Sequence, residues 1–310
     1  MRALLLYLSE SKRLAPWIMH SRLSRRVARR FVAGETLDDA VAAARAVNRA
    51  GQSASLDMLG ENVSDEAGAR RAADAYVAMF DRIKQEKLDA NVSLKLTQLG
   101  LDLSQSLCEE LVERIVAHAS SLRNFVRIDM EGSAYTQRTI EIARRVRARH
   151  ESVGTVIQSY LYRSENDVQD LLAAGCRIRL CKGAYKEPPE VAFPEKADVD
   201  ANYVKLMKLL LVSGIYHGIA THDPRMIRAT RNFAREKQIA GGQFEFQMLY
   251  GIRTDLQRKL IKQGYRLRVY IPFGTDWFPY FMRRLAERPA NLTFFLRAML
   301  PRSSRDSSSP

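Results

Sequence analysis

A short segment near the carboxyl end of the chain combines side chains that could bind an anion. Four polar residues there follow the spacing i, i+3, i+4 and i+7, which places them on one face of a helix. They are Tyr280, Arg283, Arg284 and Glu287. Adjacent guanidinium groups are planar and permanently charged, and they suit a carboxylate or a phosphate. An Arg-Arg pair usually belongs to a solvated surface. The anion-binding hypothesis therefore requires other elements of the chain that would turn these side chains towards a site.

A second candidate site is the segment Lys182-Gly183-Ala184-Tyr185. A glycine beside a cation lets backbone N–H groups approach a phosphate, although Lys-Gly turns are common and the signal alone is weak. The chain contains neither G-x-G-x-x-G nor G-x-x-x-x-G-K-[ST]. The sequence therefore predicts neither a Rossmann nucleotide site nor a P-loop.

The composition is that of a soluble globular protein. The 310 residues are 46% hydrophobic and 27% charged, enough for one large domain or two modest ones. No apolar run approaches the roughly 18 to 20 residues that span a bilayer, and the start of the chain does not read as a secretory signal. The three cysteines form no C-x-x-C, which suits a reducing compartment, and the five histidines show no ligand spacing. We expect no metal site.

The net charge of +14 leaves several interpretations open. Arginines cluster at positions 22–30 and again at 144–149. These clusters could be solvated helix faces, a nucleic-acid surface or a surface for an anionic membrane. No nucleic-acid motif with interleaved aromatic residues occurs, so contact with a membrane surface is the functional alternative that remains open.

Short β-rich runs alternate with helical patterns along the chain. The runs are Ser53–Glu61, Asn91–Leu96, Phe125–Glu131, Thr155–Tyr160, Arg177–Gly183, Tyr216–His222, Gln243–Leu249 and Arg268–Gly274. The helical patterns are Asp65–Lys87, Ser104–Ser120, Gln137–His150, Ser164–Ala174, Asp200–Val212, Pro224–Lys237 and Leu256–Gln263. Eight strand–helix units predict an α/β fold, a (β/α)8 TIM-like barrel with extra N-terminal helices and a final helix after strand eight. Nothing marks the sheet edge that the alternative, a doubly wound sheet, would need.

The predicted strands are apolar on one parity and polar on the other. Val92 and Leu94 alternate with Ser93 and Lys95, for example, whereas strands of a covered parallel sheet usually read apolar on both faces. If the apolar parity faces the helices, polar residues line the barrel axis. They are Lys95, Asp129, Gln158, Arg179, Gln247 and Tyr270. Because buried charges are costly unless paired or used, we expect a polar ligand at the carboxyl mouth, with an internal ion-pair network as the alternative.

A series of short motifs, in a fixed order from about Ser53 to Met299, supports a specific resemblance. They read SLKL, RIDME, VIQSY, RLCKGAY, IATHD, FEFQMLYG, RVYIPFG and YFMRRLAER. The chain resembles the FAD-dependent proline dehydrogenases, in particular their short monofunctional bacterial form. The resemblance implies oxidation of L-proline to 1-pyrroline-5-carboxylate by hydride transfer to FAD, with the electrons passed to a quinone.

The resemblance also implies roles for individual residues. Catalytic roles fall to Asp129, Arg179 and Tyr270. The substrate would be bound by Lys95, Leu249, Tyr280, Arg283, Arg284 and Glu287. The FAD would contact Met130, Gln158, Arg179, Lys182, Gly183, Ala184, Tyr185, Thr221 and His222. At one position the chain departs from some members of the family, which have Trp where this chain has Lys186.

The expected organisation is an N-terminal helical segment at 1–50, an FAD-binding catalytic barrel at 51–300 and a disordered tail at 301–310. We expect a cytoplasmic protein, or one peripheral on the inner face of the bacterial membrane. Three rival functions stay open: another flavin barrel such as a methylenetetrahydrofolate-reductase-like enzyme, a hydroxyproline oxidase, and a basic binding barrel without catalysis. Within the resemblance, the bulk of Tyr270 favours unsubstituted proline over hydroxyproline.

Overall fold

The structure, a computed structural model, describes residues 28–60 and 62–287 and contains a closed parallel barrel. Its strands are β1 Ser53–Met58, β2 Ala90–Leu94, β3 Val126–Ile128, β4 Val153–Gln158, β5 Arg177–Cys181, β6 His217–Ala220, β7 Phe244–Leu249 and β8 Arg266–Phe273. Each strand pairs in parallel with the next, and β8 pairs with β1 to close the barrel. The predicted fold class is confirmed.

Helices follow the strands in the order that the sequence predicts. They are α1 Leu37–Arg49, α2 Glu66–Gln85, α3 Gln105–Ser121, α4 Ser133–Arg149, α5 Ser164–Ala173, α6 Lys196–Val212, α7 Pro224–Glu236, α8 Thr254–Lys262 and α9 Trp277–Glu287. A short 3-10 helix at Thr97–Leu99 follows β2. Side-chain caps fix several helix starts: Asp65 accepts from the backbone N–H of Gly68 at the start of α2, and Asp223 accepts from that of Arg225 at α7.

Two helices begin four residues earlier than predicted, the largest differences among the element starts. The helical pattern predicts a helix from Gln137, but α4 begins at Ser133; a second pattern predicts Asp200, but α6 begins at Lys196. The residue before α4 is Gly132, which has no side chain to cap the helix. The cap is supplied by Glu187, a residue 54 positions later in the chain. Such a long-range cap leaves no local signal in the sequence, so the true start could not be found there.

The apolar parity of the strands faces the helices, as predicted. Val92, Leu94 and Ile128 are fully buried in one hydrophobic cluster with Tyr76 and Phe80 of α2. On the other side of the barrel, residues of β4 to β8 pack in a second cluster with α5 to α8. The polar parity therefore turns towards the barrel axis.

Helix α1 packs against the barrel beside β1 and β8. It begins with a reciprocal capping arrangement between Thr36 and Asp39. The rest of the predicted segment at 1–27 and the predicted tail at 301–310 lie outside the described residues. Within 28–60 and 62–287, no helix combines the length and the apolar character needed to cross a membrane.

Much of the basic run at 144–149 is paired with carboxylates or carbonyls of neighbouring helices and loops. Arg145 binds Glu109 at 2.8 Å, and Arg149 binds Glu113 at 2.5 Å. Arg147 donates to the carbonyl of Gly175 at 3.1 Å. The structure thus favours a salt-bridged helix face over a free binding surface for this part of the chain.

Candidate active site at the carboxyl end of the barrel

A cavity of about 850 Å³ opens at the carboxyl end of the strands. Fifteen of the residues assigned by resemblance line it: Lys95, Asp129, Met130, Gln158, Arg179, Lys182, Gly183, Ala184, Tyr185, Thr221, His222, Leu249, Tyr270, Tyr280 and Arg284. Arg283 and Glu287 belong to α9, but their side chains lie outside the described part of the structure. The cavity therefore collects residues from the carboxyl ends of all eight strands, or from positions directly after them, and from the last helix, as expected for an active site in such a barrel.

Asp129 is the centre of a polar cluster at the floor of the cavity. One carboxylate oxygen accepts from Arg179 Nη1 at 2.6 Å, and the other accepts from the Tyr270 hydroxyl at 2.7 Å. The Arg179 guanidinium also lies 5.1 Å from the centre of the Tyr270 ring. Desolvation and the Asp129 carboxylate raise the pKa of Tyr270 well above its ordinary value. Tyr270 consequently stays a neutral hydrogen-bond donor.

Side chains on the barrel axis, below this cluster, hold Arg179 in place. Its Nε donates to Gln247 Oε1 at 2.5 Å, and its Nη2 donates to Ser93 Oγ at 3.0 Å. Gln247 in turn donates to Glu245 at 2.6 Å, and Arg268 donates to the same Glu245 oxygen at 2.7 Å. Burial disfavours the Glu245 carboxylate, but Arg268 outweighs this and lowers its pKa. The guanidinium that faces the cavity is therefore preorganised by buried, charge-assisted bonds.

Lys95 reaches the cavity as one member of a buried ion pair. Its Nζ lies 2.8 Å from Asp57 Oδ1, and Asp57 is only 1% exposed. Burial disfavours the ammonium, but the Asp57 carboxylate more than offsets this and raises the pKa of Lys95. The sequence reasoning missed Asp57. The signal was present, since Asp57 lies on the polar parity of the first predicted strand with Ser53 and Ser55.

Another wall of the cavity is apolar and closely packed. It includes Met130, Val156 and Cys181. Burial raises the pKa of the Cys181 thiol to about 12, so it stays neutral. Gly183 has φ +113°, and a Cβ at this position would collide with the Tyr160 ring. A glycine is required there by the backbone conformation and by the Tyr160 ring, whereas the close approach of this backbone to a ligand stays a prediction.

The residues at the outer rim have partners within the chain. Lys182 Nζ binds Asp223 at 2.9 Å and also Asp200, so its ammonium is turned to carboxylates. His222 Nε2 accepts from the backbone N–H of Leu249 at 2.9 Å. This bond assigns the proton of a neutral His222 ring to Nδ1. The adjacent Asp223 caps the start of α7.

Helix α9 covers the cavity. Tyr280 and Arg284, four positions apart, both line the cavity, with the guanidinium 5.2 Å from the ring centre. The neighbouring apolar stripe contains Phe278 and Phe281, which are at most 1% exposed and pack in a cluster with Trp277 and residues preceding α1. The helix predicted from the Arg-Arg segment is confirmed, and its polar face is turned to the cavity through the two side chains that the structure describes.

Within residues 28–60 and 62–287, the structure shows no sign of a metal centre. No three His, Cys, Asp or Glu side chains there are grouped to hold an ion. The functional groups of the cavity are instead cations, carboxylates, phenols and an apolar wall. These groups suit a small anionic substrate together with a larger, partly apolar ligand.

A parallel eight-stranded barrel with such a pocket at its carboxyl end defines a (β/α)8-barrel enzyme. The chain belongs to the proline dehydrogenase family, whose model, described as proline dehydrogenase, matches residues 40–297. It is 44% identical to proline dehydrogenase 1 of Bacillus subtilis (strain 168) over 300 residues, which are 97% of this chain and 99% of the relative. It is 42% identical to proline dehydrogenase of Deinococcus radiodurans over 280 residues, 88% of this chain and 90% of the relative. The family predicted from the sequence is confirmed.

The fold is also similar to that of a solved structure. Proline utilization A from Bdellovibrio bacteriovorus, crystallised after inactivation by N-propargylglycine, superimposes with a TM-score of 0.81 at 26% identity. The match covers 92% of this chain and 34% of that protein, so the chain spans about a third of its length.

Proposed function

We propose that this chain oxidises L-proline to 1-pyrroline-5-carboxylate, with FAD as the bound cofactor and a quinone as the electron acceptor. The single observation that carries the proposal is the buried cluster of Asp129, Arg179 and Tyr270 at the floor of a cavity in a chain of the proline dehydrogenase family. The relatives named proline dehydrogenase align with nearly the whole chain, which supports the same activity here.

The residues of the cavity fit a flavin. A volume of about 850 Å³ lies in the range of a cofactor site. It leaves room for a cofactor beside a molecule as small as proline. The apolar wall of Met130, Val156 and Cys181 suits a planar ring, and the segment Lys182–Tyr185, which also lines the cavity, is the proposed contact of the phosphate chain. The other candidate contacts are Gln158, Lys182, Ala184, Tyr185, Thr221 and His222. A bound flavin would supply the acceptor for the hydride that leaves the substrate ring.

The charged half of the cavity would bind the proline carboxylate. Lys95 and Arg284 both line it. We include Arg283 and Glu287 of the same helix in the proposed clamp on the resemblance alone. Two or more cations around one carboxylate fix a rigid substrate that has few other groups to hold. The same positive charges disfavour protonation of the ring nitrogen, which must be neutral for hydride to leave the adjacent carbon.

The remaining residues would orient the substrate and stabilise charge that develops during the reaction. Asp129 holds Tyr270 and Arg179 in place, and Leu249 offers an apolar surface for the substrate ring. The Arg179 guanidinium, held by Gln247 and Ser93, would stabilise negative charge that develops during the reaction without reorganising.

The proposed cofactor is tested by identifying the flavin and determining whether it is covalently attached. We expect the purified protein to be yellow and to release FAD into the supernatant on acid precipitation, since no attachment motif for a covalent flavin occurs in the sequence. Colour that stays in the pellet, or a released flavin without adenine, would contradict the assignment.

The basic surface of the chain bears on the electron acceptor and on the location of the protein. We propose a cytoplasmic enzyme that delivers electrons to a quinone during peripheral contact with the membrane, supported by the net charge of +14. Arg145 and Arg149, which bind carboxylates, do not contribute free charge to such a contact. Proline-dependent reduction of a water-soluble quinone analogue by the pure protein is the expected result, and failure to reduce it would exclude the quinone.

A further inference from the structure

The loop that connects β5 to α6, residues 182–195, forms one wall of the candidate site. Its first residues, Lys182 to Tyr185, line the cavity. Glu187 follows two positions later and is half-buried. Neither the carboxylate clamp nor the Asp129 cluster uses this side chain, so its contacts require a separate explanation.

Glu187 caps a helix on another part of the barrel. Its Oε1 accepts from the backbone N–H of Ser133 at 2.7 Å, and its Oε2 accepts from the Ser133 hydroxyl. Ser133 is the first residue of α4, and the preceding Gly132 has no side chain to cap the helix. Because the first N–H groups of a helix lack internal partners and carry partial positive charge, a carboxylate there is strongly favoured.

Tyr160 connects this cap to the cavity wall. Its hydroxyl donates to Glu187 Oε1 at 3.3 Å, and its backbone N–H donates to the Lys182 carbonyl at 2.9 Å. The Tyr160 ring fills the space in which Gly183 would otherwise carry a Cβ. Desolvation, together with the Glu187 carboxylate, raises the pKa of Tyr160, which keeps its hydroxyl a donor. Contacts thus run without interruption from the start of α4 to the glycine of the cavity wall.

The far part of the loop is fixed by backbone bonds. The N–H of Phe193 donates to the Tyr160 carbonyl at 2.8 Å, and the N–H of Tyr162 donates to the Val191 carbonyl at 3.1 Å. Both ends of the loop are therefore attached to the segment that follows β4. Glu187 attaches the stretch between them to α4.

We propose that Glu187 is a positioning residue, a latch that ties the cavity wall at residues 183–187 to the start of α4 and so controls how long the cofactor stays bound. The inference rests on the proposed function, because it takes the ligand of that wall to be the flavin. Without the latch, the wall would open more often and the cofactor would leave faster.

The test compares Glu187→Ala with Glu190→Ala, which removes an exposed carboxylate from the same loop. Hydrogen–deuterium exchange is measured on peptides covering 182–195 and the first turn of α4, and FAD release is followed by the fluorescence of the free flavin. Since hydrogen bonds to a charged group are lost, we expect both exchange and release to be about 10-fold faster in Glu187→Ala. Glu190→Ala should match the wild type.

Each outcome decides the proposal. Unchanged exchange in Glu187→Ala would show that no latch exists, and faster exchange with unchanged FAD release would show that the latch does not retain the cofactor. If the protein binds no flavin, the proposed function fails, whereas the exchange measurement still decides the latch. If Glu187→Ala does not fold, Ser133→Ala removes one of the two bonds from the other side, and a smaller increase in exchange is then required.

Discussion

At the scale of single residues, Asp129 organises the site through two short hydrogen bonds. It holds the Arg179 guanidinium on one oxygen and the Tyr270 hydroxyl on the other. A buried carboxylate is stable only with such partners. The strand parity predicts that all three side chains point into the barrel, but it does not predict which of them are bonded to each other, because that depends on the stagger between strands.

Tyr270 gives a prediction about substrate choice. Replacing it with Ser removes the ring and should lower kcat/KM for L-proline while improving the relative use of trans-4-hydroxyproline. The ratio of the two kcat/KM values should change by about 1 to 3 kcal/mol, the usual value of a small steric difference in a pocket. Steady-state kinetics with both substrates measure this ratio.

Tyr270→Phe is the matched control, because it keeps the ring and removes only the hydroxyl that donates to Asp129. Phe should lower the overall activity without moving the ratio towards hydroxyproline. A ratio that shifts equally in Phe and Ser would show that the hydroxyl rather than the bulk sets the selectivity. A wild type that already prefers hydroxyproline would contradict the choice of substrate.

At the scale of elements, parity and spacing predict the strands and the last helix well. The alternation of Val92 and Leu94 with Ser93 and Lys95 is local, and the side-chain period of a strand converts it directly into an inside and an outside. Helix starts are predicted less well. The start of α4 at Ser133 depends on Glu187, which comes from another loop, and no window of local sequence contains both.

Helix α9 gives a prediction about substrate binding. Replacing Arg284 with Met keeps an unbranched, flexible side chain but removes the charge at the cavity. We expect KM for proline to rise and kcat/KM to fall by roughly 10- to 100-fold, as for a lost charge-assisted contact. Flavin content should be unchanged, and absorption spectra with steady-state kinetics report both quantities.

Arg258→Met provides the control, because Arg258 is an exposed arginine on α8. It should behave as the wild type in both measurements. If Arg284→Met has unchanged kinetics, α9 does not bind the substrate carboxylate. If the flavin is lost instead, the helix holds the cofactor and the clamp is assigned to the wrong ligand.

At the scale of the whole molecule, ion pairs connect neighbouring helices. Arg70 binds Glu110 at 3.0 Å between α2 and α3, and Arg145 binds Glu109 at 2.8 Å between α4 and α3. Each exposed pair contributes at most about 1 kcal/mol, so together they neutralise charge more than they determine stability. The net charge is evident in the sequence, whereas the choice of partners across helices follows only from the barrel.

The buried histidine His217 should make the free energy of unfolding depend on pH. It accepts from the backbone N–H of Ile178 at 3.0 Å, and burial, with Arg127 nearby, lowers its pKa to about 3. The unfolded chain binds this proton near pH 6.5 and the folded chain does not, so the free energy of unfolding falls as the pH drops below that value. The fall from pH 7 to pH 5 should be about 2 kcal/mol for a single such group.

Urea unfolding at several pH values tests this behaviour. His217→Asn keeps an acceptor for Ile178 and loses the titrating ring, so its stability should be lower at pH 7 but less dependent on pH between 7 and 5. A variant with the same pH dependence as the wild type would assign the effect to other groups.

The central claim is that one cavity at the carboxyl end of the barrel binds both a flavin and L-proline. The most direct test is an anaerobic titration of the purified yellow protein with L-proline, followed by the visible absorption of the flavin. We predict that L-proline bleaches this absorption, and that Arg284→Met requires a much higher proline concentration for the same change. A flavin that stays oxidised with L-proline but is reduced by dithionite would contradict the claim.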